Sequence, residues 1–140
     1  QCVSVFGEHI LTAEGSINRK LLGNIVFTNP DNLQKLNKLV HPCIKKKVTI
    51  LQRSLTEHKL VVIVGALIKE IGLIEVCDKI ITISANSEKI REKIGEKYDM
   101  ISPHQLSQTI YDTLADYVIV NNFDDRFEMA LKQHVQSLLD

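Results

Sequence analysis

Three short apolar runs constrain this chain more than any other feature. Leu60–Val64 reads L-V-V-I-V between Lys59 and Gly65, Lys79–Ser84 reads K-I-I-T-I-S, and Tyr117–Val120 reads Y-V-I-V. Residues that are apolar at successive positions, rather than alternately, suit parallel strands covered on both faces. Segments with helical periodicity separate these runs. A chain that alternates in this way folds as α/β, with the strands in one parallel sheet.

Ahead of the first run lies a region that reads as helical throughout. Asn18 is placed to cap a helix over 19–27, whose apolar stripe is Leu21, Leu22, Ile25 and Val26. Asn29-Pro30-Asp31 ends that helix and opens the next, which carries Leu33, Leu36, Leu39 and Val40 on one face. His41-Pro42 predicts a break, with Pro42 in the first turn of a third helix. Further along, the pattern predicts a helix over 87–96 capped by Ser87, a short helix opened by Ser102-Pro103, and a last helix capped by Asp124 and Asp125. The two acids suit the positive end of that helix's dipole. The organisation expected is a helical region over 1–58 and an α/β remainder over 59–140.

Composition narrows the function classes. The 140 residues hold 17 basic and 17 acidic side chains, so no charge excess advertises a nucleic-acid or anionic-membrane partner. Lys45-Lys46-Lys47 reads as a solvated helix face. Cys2, Cys43 and Cys77 are odd in number and form no C-x-x-C pair, which points to reduced thiols and a cytoplasmic setting rather than a disulfide framework. His9, His58, His104 and His134 are scattered without ligand spacing, and no metal-ligating set is expected. No apolar run approaches the roughly 18 residues of a membrane span.

Residues Gly15 to Pro42 read G-S-I-N-R-K-L-L-G-N-I-V-F, then N-P, then L-x-K-L-V-H-P, and Ala115 to Asn121 read A-D-Y-V-I-V-N. In this order the two blocks resemble the dephospho-coenzyme A kinase family, P-loop kinases that phosphorylate the 3′-hydroxyl of dephospho-CoA. The resemblance runs from about Phe6 to the C-terminus. It implies part of a P-loop kinase parallel sheet flanked by helices, a helical CoA-binding region, and a short lid near 87–114. Dephospho-CoA and ATP are the implied ligands, and Mg²⁺ the implied cofactor.

The resemblance also assigns residues. Arg19, in S-I-N-R-K, faces the coenzyme A substrate, where a guanidinium can fork onto phosphate oxygens; the alternative is a solvated first-turn arginine paired with an acid such as Glu14. His41 lies at the hinge lining the substrate cleft; the alternative is a histidine satisfied by backbone. Glu70, in V-G-A-L-I-K-E, matches the family's D-V-P-L-L-F-E segment and stands past the end of a strand, where crevices form. Val64 and Ala66 depart from that pattern. Arg91 matches the first of two lid arginines that approach the ATP phosphates, and Lys97 stands near the second; the alternative for Arg91 is a surface pair with Glu88. Asn121 and Asn122 match the loop beside the adenine ring, or else a strand-ending turn.

No G-x-x-x-x-G-K-[ST] loop occurs in the chain, although the family carries one near its N-terminus. The catalytic residues are therefore expected upstream of Gln1, and the 140 residues alone are expected to fold poorly and to lack kinase turnover. A degenerate, non-catalytic relative that binds nucleotide or CoA is the alternative, followed by another nucleotide or nucleoside kinase of the same fold.

Overall fold

The computed structural model describes Gln1–Leu139. In chain order the helices and strands are α1 (Cys2–Phe6), α2 (Arg19–Phe27), α3 (Pro30–Ser54), α4 (Ile68–Ile71), β1 (Ile81–Ser84), α5 (Ser87–Ile94), α6 (Lys97–Ile101), α7 (Gln108–Leu114), β2 (Tyr117–Val120) and α8 (Asp125–Ser137). The chain divides into two compact units, Gln1–Ile50 and Leu51–Asp140.

In the first unit, Phe6, Ile10, Leu22 and Val26 form a buried cluster, with Val3, Ile25, Leu33 and Leu36 packed around it. Two of these come from the α2 stripe, so the 3.6-residue period orients this helix as expected. The Asn18 side chain caps α2 by accepting from the Leu21 N–H at 3.0 Å. A tight turn delivers it there: Leu11 and Ile17 bridge antiparallel, and Gly15 at the tip has φ 76°, a conformation that suits glycine. Asn29 then caps α3, its Oδ1 accepting from Asp31 and Asn32, with Pro30 in the first turn.

The break expected at His41-Pro42 does not occur. α3 runs 25 residues with Pro42 inside it. Proline removes one i→i−4 hydrogen bond and crowds the carbonyl of Lys38, but on a helix this long the intact turns on either side carry the chain through.

The second unit centres on a two-stranded parallel sheet, Ile81 opposite Tyr117 through Ser84 opposite Val120. The α/β class holds, and two of the three expected strands form. Leu60–Val64 does not: it takes up no regular secondary structure, with Val62 64% and Val64 90% exposed. A strand exists through its neighbour's N–H and C=O groups, and no strand among the described residues pairs with this run. Two smaller differences concern α5. Its cap is Asn86, whose Oδ1 accepts from Glu88 and Lys89, rather than Ser87. It ends at Ile94 because Gly95, at φ 61°, leaves helical space. Asp124 caps α8 as expected, accepting from the Arg126 N–H.

Candidate functional site

The register of β1 and β2 places both carboxyl ends on one side, where crevices in α/β sheets form. Asn121 continues the ladder by donating its N–H to the Ser84 carbonyl at 2.7 Å. Its side-chain Oδ1 accepts from the Phe123 N–H at 2.8 Å. The amide oxygen of Asn121 is therefore committed to the turn, which leaves its N–H₂ as the donor end of the side chain. Asn122 beside it is exposed. Phe123 has φ 62°, a position in which a bulky side chain is strained. The Lys93 ammonium on α5 lies 4.8 Å from the centre of the Phe123 ring. This contact brings α5 alongside the loop that the family resemblance links to adenine.

Arg91 on α5 is occupied within the unit. Its guanidinium donates to Asp99 at 2.7 Å and stands 5.1 Å over the Tyr98 ring. The partner is thus Asp99 on α6, not Glu88. Both side chains are more than half exposed, and such pairs hold weakly, about 0–1 kcal/mol. Lys97 opens α6 and is exposed.

Glu70 is anything but a plain surface glutamate. It sits on the single-turn α4, and its Oε2 accepts from the Tyr111 hydroxyl at 2.6 Å. The same hydroxyl reaches the Ala66 carbonyl at 2.8 Å. The other carboxylate oxygen, Oε1, is buried with no partner among the described residues. Burial, and then the neighbouring Glu70, hold the Tyr111 phenol well above its ordinary range, so it stays protonated as a donor. Sequence reasoning did not single out Tyr111. It lies 41 residues from Glu70, and no local pattern marks that pairing.

Arg19 and His41 belong to the first unit. Arg19 is the first residue of α2 and is exposed, with no ion pair to Glu14. A cation at a helix N-terminus opposes the dipole and gains by meeting an anion there. His41 is half-buried one residue before Pro42, within α3.

Other features are quiet. A hollow of about 370 Å³ lies against β2 and α8, lined by Val118, Val120, Arg126, Phe127 and His134 among others; it holds none of the assigned residues. The Cys77 thiol is pushed up by burial and by Asp78, which makes it a poor nucleophile. No helix of the described residues is long and apolar enough to cross a membrane. No three His, Cys, Asp or Glu side chains of the described residues converge to hold a metal.

Comparison with known proteins adds what geometry alone does not. A family model described as dephospho-CoA kinase matches residues 1–125. The chain belongs to the dephospho-CoA kinase family. It is 33% identical to the dephospho-CoA kinase of Dehalococcoides mccartyi over 96% of its own length and 71% of that protein's. The enzyme of Fusobacterium nucleatum is 34% identical over 87% of the chain and 66% of the relative. That of Leptospira interrogans is 30% identical over 99% and 69%. The chain thus spans roughly two thirds to seven tenths of the length of these dephospho-CoA kinases, and membership makes it a nucleotide-binding transferase by family.

Proposed function

We propose that the protein transfers the γ-phosphoryl group of ATP to the 3′-hydroxyl of dephospho-CoA, in the cytoplasm, as the last phosphorylation of coenzyme A synthesis. The observation that carries this reading is the family match over residues 1–125, joined by relatives that are all dephospho-CoA kinases.

The described residues take these parts. Arg19 holds a phosphate of dephospho-CoA, and His41 lends a hydrogen bond to the same substrate. Glu70 faces the acceptor substrate. Arg91, released from Asp99, and Lys97 approach the ATP phosphates and offset the charge that spreads over the transferring group. Asn121 and Asn122 meet the adenine edge. ATP brings Mg²⁺ with it, and the ion's role is to neutralise phosphate charge. The residues that cradle the phosphates and take the hydroxyl proton are not among those named.

The test is an assay of purified full-length protein with ATP, Mg²⁺ and dephospho-CoA, scored by mass spectrometry for the 3′-phosphorylated product. Formation of CoA supports the reading. Tight binding of both ligands with no product would instead favour the non-catalytic relative.

A further inference from the structure

The zero net charge of the chain hides a division. Residues 1–50, the first compact unit, hold seven basic and three acidic side chains, whereas residues 51–140 hold ten basic and 14 acidic ones, so the two carry +4 and −4. The basic excess gathers on α3, which has six Lys or Arg against one acid, Asp31. Helical spacing sorts these cations. Lys35, Lys38 and Lys46 lie along one face, opposite the face of Leu33, Val40, Ile44 and Val48. All three lysines are exposed, and none forms an ion pair among the described residues. Lys38 stands three residues before His41, so the two are neighbours on the helix surface. Cations left without acids keep their field, which reaches about 8 Å at physiological salt. A surface of one sign raises the on-rate of a ligand of the other.

We propose that Lys35, Lys38 and Lys46 form an anion-guiding face that draws dephospho-CoA, through its diphosphate, to the first unit. This rests on the kinase reading above and deepens it, since these lysines hold no place among the site residues given there. Both substrates are anions, and the division of charge separates them. The guiding face lies on the helix that carries His41, whereas Arg91 and Lys97 belong to the unit with a net charge of −4. The lysines act before the complex forms, so they speed encounter and leave the dissociation rate and kcat alone.

The experiment is stopped-flow binding of dephospho-CoA, labelled at its thiol with an uncharged fluorophore, to the full-length protein. The variant is Lys35→Gln/Lys38→Gln/Lys46→Gln; Gln matches Lys in helix propensity, so α3 is kept. The control is Lys59→Gln/Lys69→Gln/Lys132→Gln, which removes the same charge from exposed positions of the second unit. At about 0.1 M salt the α3 variant is expected to associate roughly fivefold more slowly than wild type, with a dissociation rate within about twofold. The control is expected to stay within about twofold on both rates, and the α3 effect to close at about 1 M salt. Equal slowing by both variants would reduce the effect to net charge and overturn the proposal. A loss that persists at high salt, or that falls on dissociation, overturns it too, because it marks direct contact or altered structure. So does lysine-dependent binding of single-stranded RNA with an unchanged on-rate for dephospho-CoA. A wild-type protein that does not bind dephospho-CoA sinks the kinase reading and this inference together; a wild type that binds it, with an unaltered α3 variant, sinks this inference alone.

Discussion

Phe123 is the residue at which local chemistry and local backbone disagree. An L-residue in left-handed space costs roughly 1–2 kcal/mol, and here part of that is offset by the Lys93 contact at 4.8 Å. The order of two substitutions follows. At ordinary positions alanine outranks glycine by about 0.5–1 kcal/mol; at φ 62° Phe123→Gly is expected to be more stable than Phe123→Ala by about 1 kcal/mol. Urea titration of the two variants decides it, and the reverse order would place this residue outside left-handed space. Asp116 gives a second residue-level expectation. Lys79 donates to it at 2.9 Å and the Ile80 N–H at 2.8 Å. Those two groups, the Lys79 side chain first, hold its carboxyl below its ordinary 3.8. A carboxyl depressed in the folded state stabilises above its unfolded pKa and loses that contribution as pH falls through the folded value. The expected loss is therefore confined to acid, below about pH 4. Asp116→Asn should flatten the fall of the urea midpoint there relative to wild type; an unchanged acid limb would mean the pair does not persist in solution.

The long helix α3 shows how an element outweighs a residue. His41-Pro42 reads as a junction, yet 25 residues run through it. What the proline costs is one missing N–H and a crowded carbonyl, roughly 3 kcal/mol in a helix interior. Pro42→Ala is expected to raise stability by about 1–3 kcal/mol, read as a shift in thermal midpoint. A loss would mean that the helix bends there and needs to. If the same variant weakens dephospho-CoA binding, stability has been exchanged for function at this point. The cap of α2 belongs to this scale too. Asn18→Ala removes the acceptor for the Leu21 N–H and should cost about 1 kcal/mol. It matters beyond stability, since Asn18 delivers Arg19 to the helix start.

At the scale of the whole molecule, apolar surface stands open. Val62, Val64, Ile83, Val118 and Val120 are 64, 90, 47, 46 and 53% exposed, all in or beside the strands that their sequence marks as covered. Exposed apolar side chains promote association where they gather into patches, and open strand edges template further pairing. The 140-residue polypeptide is expected to enhance the fluorescence of an apolar dye and to self-associate as its concentration rises. A monodisperse chain with no dye response would show these side chains to be covered in solution.

Local physics made much of this legible from the sequence. α2, its Asn18 cap, the β2 strand and the Asp124 cap each rest on residues within a few positions of one another, so their periodicity and side-chain chemistry determine them. The family pattern in G-S-I-N-R, H-P and A-D-Y-V-I-V-N was likewise readable in one dimension. Three things were decided only in three dimensions. Leu60–Val64 has strand composition, but a strand needs a partner's backbone, and composition does not supply one. Arg91 chose Asp99 and Tyr98 over the neighbour one turn away because α6 folds back against α5. Tyr111 reached Glu70 across 41 residues, a pairing made by the sheet that Thr82 anchors, and no spacing rule along the chain encodes a contact of that range.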